Sequence, residues 1–314
     1  MDDPSAPPPF SAPPVLAERA ALADPFRRAA LQRSGLLDGV GNAVLDRVAR
    51  VATQLVGTPV ALVSLVDDRG QHFPGLAGLS GWAAEARGTP LSHSFCQHVV
   101  ARRSPLLVED AATHPLVRDN LARRDLGVVS YAGVPLTSSD GDTLGALCAI
   151  DAVPRSWSAE QVSALADLAT LAVAEIELRA TVRALQQSEA WHAASEARLM
   201  RVLDAAGMGS WEWDLAADRA EFSAHWGPIF GLARGEGVAS LSAFLALVHP
   251  EDRLGVRAAI DDALTGRDVY DVRFRIVTPE GEVRLVHDIG TALRDDAGRV
   301  LRLAGVARAV PPEG

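Results

Sequence analysis

The sequence contains no lysine; all 30 of its basic residues are arginine. We read this as a GC-rich coding bias, not as a function. Cysteine is almost absent too. Cys96 and Cys148 are too few for a disulfide framework or a zinc cage. Both are expected to be reduced thiols of a cytoplasmic protein. Positive charge is short: 40 acidic residues leave a net charge of -10. That argues against non-specific nucleic-acid binding, which needs a basic face. Charge breaks every apolar run well short of a membrane span. The opening "MDDPSAPPPFSAPP" lacks the basic start and apolar stretch of a secretory signal, so residues 1–15 read as a disordered leader. G-x-G-x-x-G, P-loop, G-x-S-x-G and H-E-x-x-H motifs are all missing.

What is present is enough for two domains. The chain has 314 residues and is 48% hydrophobic. Helical spacing covers residues 15–56, and Pro59 is expected to stop the second helix. The run "PVALVSLVDD", the region His72 to Leu76, "PLLVED", "VVSYAGVPLT" and "TLGALCAID" read as strands. "SSDGD" between the last two is a hairpin signal, and Phe95 to Arg103 reads as helix. From Met208 come two short strands, two short helices, a longer helix beginning at "HPED", and three strands. The expected fold class is α+β, each domain an antiparallel sheet flanked by helices. Expected bounds are 16–180 for the first domain, 207–310 for the second and 311–314 for a tail.

A connecting helix is expected over 158–206, overlapping the exit of the first domain. Leu171, Leu178, Leu185 and Leu199 share one heptad position, and His192 fills its remaining slot. Leu168, Val182 and Leu203 take the partner position, interrupted by Glu175, Glu189 and Glu196. The reading is a helix pairing with that of a second copy, as a parallel homodimer. The glutamates would weaken the seam enough to let it move, or simply face water.

The first unit resembles a GAF domain. The likeness lies in "VALVSLVDDRGQHF", "SFCQHVV", "PLLVEDAATHP", "YAGVPL" and "GALCAIDAVPRSWS", in that order. The second resembles a PAS domain of the branch with "WEWD", "FG", "HPED" and "FRIVTPEGEVRLV". The resemblance implies bacterial sensory proteins. In each domain a pocket between sheet and helices would hold a small molecule, and its occupancy would shift the flanking helices.

In the first pocket the candidates are Phe95, Cys96, Val99, Tyr131 and Cys148. Ser94 and Gln97 form a capping box, S-x-x-Q, that puts Cys96 in a first helical turn. The helix dipole there would lower its pKa, while burial beside Val99 and Val100 would raise it. Packing is the favoured role for Cys96. GAF domains that attach a bilin do so at a cysteine followed directly by histidine; here Gln97 follows, which argues against it. His72, His93, His98 and His114 are available to haem, but no motif supports it. The cyclic-nucleotide N-K-F-D-E set cannot be complete without lysine. In the second pocket the candidates are Trp211, Trp213, Phe222, Trp226 and Phe274. That unit has no cysteine, which excludes a flavin adduct. His249 reads as structural, with Pro250 at the first helical position and Glu251 and Asp252 complementing the dipole. The cofactor is left open.

The expected function is a cytoplasmic sensor that takes a small ligand or responds to redox state and signals through a dimeric helix to a downstream protein. Neither nucleic acid nor membrane is expected as a partner, and no catalytic activity is expected of this chain. Two rivals stand. One is the sensory part of a histidine kinase whose reading frame continues past Gly314. The other is a thiol-based GAF reductase.

Overall fold

The computed structural model describes residues 19–267 and 269–311. The leader, 1–15, and residues 312–314 of the tail lie outside the described residues. The chain divides into two compact units between Ser188 and Glu189.

The first unit opens with helices α1 (Pro25–Ser34) and α2 (Ala43–Val56). Asp24 caps α1 by accepting from the Phe26 and Arg27 amides, and Asn42 does the same for Val44 and Leu45 in α2. Gly57, at φ 72°, ends α2 in a left-handed turn; Pro59 is not the stop. Six strands follow: β1 (Val60–Val66), β2 (Gly70–Ala77), β3 (Gly88–Pro90), β4 (Leu106–Val108), β5 (Ser130–Thr137) and β6 (Thr143–Asp151). They form one antiparallel sheet in the order β3-β2-β1-β6-β5-β4.

The central strands β1 and β6 are buried almost end to end because both faces of the sheet are covered. Val63, Leu65 and Leu147 pack with α2 and the exit helix α4 (Ala159–Ala205). Leu62, Val66 and Cys148 pack on the other face with α3 (Cys96–Arg102). Double burial is why "VALVSLV" is a continuous apolar run and does not alternate.

Helix α4 buries Leu165, Leu168, Ala169, Ala172, Val173 and Ile176. Leu168 is therefore a core residue of its own unit and not part of an open seam. Half-buried Glu175 accepts a 2.9 Å hydrogen bond from Asn42 Nδ2, tying α4 to the cap of α2.

The second unit holds β7 (Met208–Asp214), β8 (Arg219–Phe222), a single helical turn at Trp226–Ile229, α5 (Leu241–Leu247), α6 (Arg253–Asp262), β9 (Val269–Val277), β10 (Val283–Arg294) and β11 (Val300–Val310). The sheet order is β8-β7-β11-β10-β9, antiparallel throughout. Its core lies on one face, where Trp226, Phe230, Val256, Ile260, Phe274 and Val286 meet. Helix α6 begins at Arg253, so Pro250 sits in the preceding turn and not at the first helical position. The reason is Asp252. Its carboxylate takes the Arg275 amide at 2.8 Å and guanidinium at 2.6 Å, fastening the turn to β9. Among the described residues, no helix is long and apolar enough to cross a membrane.

Candidate functional site

Each unit encloses a cavity of about 60 Å³ between its sheet and its short helices. In the first unit Phe95, Cys96, Tyr131 and Cys148 line it, together with Gln71, Phe73 and His93. Val99 does not line it; it is fully buried in the core behind.

The capping box around Cys96 forms by half. Ser94 Oγ accepts from the Gln97 amide at 3.1 Å. Gln97 does not return the bond to the Ser94 amide. Its Nε2 donates to the Ser94 and Leu91 carbonyls instead, at 2.8 and 2.9 Å. The Ser94 amide is already used by the Leu91 carbonyl. Ser94 Oγ also donates to Gln71 Oε1 at 2.8 Å, and Gln71 Nε2 donates to Thr89 at 2.7 Å. This buried polar chain fixes the start of α3.

Cys96 faces Cys148 across the cavity wall, with the sulfurs 3.8 Å apart. Tyr131 donates its hydroxyl to Cys96 Sγ at 3.3 Å. Gly133 makes this possible, because a Cβ there would lie 2.1 Å from the Tyr131 oxygen. The hydrogen bond shared with Cys148 lowers the Cys96 pKa, with Tyr131 helping, against the cost of burial. Cys148 is pushed up by the same bond and by burial. The sequence placed helix dipole against burial; the geometry adds hydrogen bonds as the larger influence on Cys96. Two of the four candidate haem histidines pair with carboxylates. His72 Nε2 lies 3.2 Å from Asp67 and His93 Nε2 lies 3.1 Å from Asp125. Among the described residues, no group of three or more His, Cys, Asp or Glu gathers as a metal site.

In the second unit Trp211, Trp213, Phe222 and Trp226 line the cavity, as do Phe244, Tyr270 and Asp288. Phe274 stands one layer back, edge-on to Phe244 at 5.9 Å. Trp226 stacks against Phe230 and tilts on Phe222, with ring centroids 4.1 Å apart in each pair. The Trp211 ring reaches over Gly290 and Gly305, where any Cβ would strike it. Its indole N–H donates to Asp288 Oδ1 at 2.6 Å. Burial pushes the Asp288 carboxyl up to about 7, with the Trp211 bond pulling the other way. The Tyr270 hydroxyl is buried without a hydrogen-bond partner. Asp288 and Tyr270 were not singled out from the sequence. The available signal was one acid in register with Val286 and Gly290 on the inner face of a strand.

Two small α+β folds stand in series, each closing a pocket over one face of an antiparallel sheet. Residues 41–176 match the model of the GAF domain and residues 219–307 that of the PAS fold. The chain is a GAF domain followed by a PAS domain. It is 35% identical over 158 residues to a cyclic di-GMP phosphodiesterase of Pseudomonas aeruginosa, a match over 49% of this chain and 26% of that protein. The chain therefore covers about a quarter of that relative's length. Among solved structures, a sensory box histidine kinase/response regulator of Burkholderia thailandensis is 31% identical, over 36% of this chain and 84% of that one, with a TM-score of 0.32. A free methionine-R-sulfoxide reductase of Neisseria meningitidis is 22% identical, over 55% of this chain and 96% of that one, with a TM-score of 0.37.

Proposed function

We propose that this chain is the sensory part of a cytoplasmic signalling protein. Its GAF and PAS pockets take small ligands, and α4 carries the change to an effector as a parallel homodimer. The observation that supports this best is the uncovered face of α4. Leu171, Leu178, Val182, Leu185 and Leu199 are between 45% and 61% exposed, on a helix that buries its other face in the GAF core as far as Ile176. A heptad row of open leucines is the surface a second helix covers. The test is sedimentation across a broad concentration range. The wild type is expected to dimerise, and Leu178→Glu with Leu185→Glu to be monomeric. A wild type that stays monomeric throughout overturns the dimer. The name of the Pseudomonas aeruginosa relative supports turnover of a cyclic dinucleotide as the output of a longer protein. Purified protein with the full native reading frame, assayed for that hydrolysis and for autophosphorylation, separates this from a kinase.

A second reading rests on the 3.8 Å sulfur pair. A peroxide would take two electrons and two protons from Cys96 and Cys148, leaving one disulfide and two waters. Mass spectrometry after peroxide treatment should show the loss of two hydrogens, abolished by Cys148→Ser. Thiols that resist both alkylation and peroxide in the native protein rule this reading out. A Cys96→Ala variant that kept any methionine sulfoxide reductase activity would remove the reductase alternative.

A further inference from the structure

The PAS cavity has walls of one chemistry and a floor of another. Trp211, Trp213, Phe222, Trp226, Phe244 and Tyr270 present aromatic rings to it. Aromatic faces carry negative electrostatic potential and attract cations, above all where water is excluded. Into this apolar enclosure the sheet projects one acid, Asp288, 2% exposed. A buried carboxylate is costly unless a positive charge or several hydrogen bonds answer it. Asp288 has the Trp211 indole N–H on Oδ1, and no cation is paired with it among the described residues. The Tyr270 hydroxyl, on the neighbouring strand, is 2% exposed and also without a partner. Two polar groups thus share an aromatic chamber with unused hydrogen-bonding capacity.

We propose that the PAS cavity binds a small alkylammonium group, with Asp288 as its counter-charge, Tyr270 as an acceptor and the tryptophan faces around its methyl or methylene groups. The inference rests on the reading of this cavity as a ligand pocket and goes further by naming the class. An anionic ligand is disfavoured, since it would set a second negative charge beside Asp288. A neutral apolar ligand would leave both polar groups unanswered. A methylated ammonium, or the ammonium end of a longer amine, combines the positive charge that answers Asp288 with the apolar groups that the rings cover.

The test uses the full chain and tryptophan fluorescence, with methylammonium and trimethylammonium chloride as probes at constant ionic strength. Choline and its uncharged isostere 3,3-dimethylbutanol form a matched pair, and indole serves as a neutral aromatic probe. Saturable binding of an ammonium probe is expected, weaker by about tenfold or more for the isostere. Asp288→Asn should lose that preference for charge, with its near-ultraviolet circular dichroism showing an intact fold. Equal binding of charged and uncharged probes, or an Asp288→Asn variant with undiminished preference, overturns the amine class. Binding of indole without any ammonium probe also overturns it, and leaves the ligand-pocket reading standing. Binding by none of the probes overturns both.

Discussion

Asp288 should make the unliganded PAS domain less stable as the pH rises, the reverse of the usual behaviour of a paired carboxylate. Burial lifts its pKa from 3.8 to about 7. Between those values the folded chain holds a proton that the unfolded chain has released. Stability is therefore fully present below pH 4 and falls as the pH climbs through 7. At about 1.4 kcal/mol per pH unit, the loss amounts to about 4 kcal/mol by pH 8. Asp288 is buried, so solvent screening does not reduce this figure much. The groups around it are Trp211 on β7, Tyr270 on β9 and, on β11, its register partner Ala307. His287 is adjacent but paired with Asp271 at 2.8 Å. Asp288→Asn keeps an acceptor for Trp211 and removes the titration. The assay is urea unfolding at a series of pH values, followed by tryptophan fluorescence and by hydrogen exchange in β9 to β11. The difference between variant and wild type cancels other titrating pairs, such as Asp252, held down to about 2 by Arg275. That difference should move in favour of Asn by about 4 kcal/mol from pH 4 to pH 8. A pH-independent difference, or one that favours Asp at high pH, refutes the reasoning.

Tyr270→Phe removes a buried hydroxyl that has no partner, so the empty protein should be unchanged or gain about 1–3 kcal/mol; a clear loss in urea unfolding would show that the hydroxyl is satisfied. Trp226→Ala deletes the ring held between Phe222 and Phe230 and should cost about 3–5 kcal/mol. A loss under about 1 kcal/mol would mean the site collapses around the gap. Gly290→Ala would put a Cβ 2.8 Å from the Trp211 ring and 2.9 Å from the Ala304 carbonyl. The indole must then leave the sheet and release Asp288, which should red-shift the tryptophan emission; an unshifted spectrum with a native Tm contradicts the placement of Trp211.

Strand and helix periodicity carried most of the fold. The β5–β6 hairpin was legible because Asp140-Gly141 sits between two apolar runs, and Gly141 adopts φ 87° there. Cys96 and Cys148 were legible as neighbours of one pocket because one starts a helix and the other lies on a central strand. The acid of the PAS pocket was not. "VRLVHDIG" alternates imperfectly, and which face turns inward is set by pairing with β9 and β11, which bring Val272 and Ala307 beside Asp288. The same holds for Trp211, whose place depends on two glycines in strands far along the chain.

Helix α4 shows where periodicity itself becomes ambiguous. Leu168 fits the seam spacing yet packs into the GAF core. It stands at the border of two stripes that lie on different sides of α4 from its first turns: Leu171 is 60% exposed while Ala172 beside it is fully buried. Leu165, Ala169, Ala172 and Ile176 stay buried, whereas Leu171, Leu178 and Leu185 stay open. A helix that only closed its own domain would need the first stripe alone. The second stripe continues to Leu199, beyond the last residue that the GAF core buries. Apolar side chains kept in water over that distance cost stability unless something covers them. Under the proposed dimer this stripe is the surface that the partner helix covers.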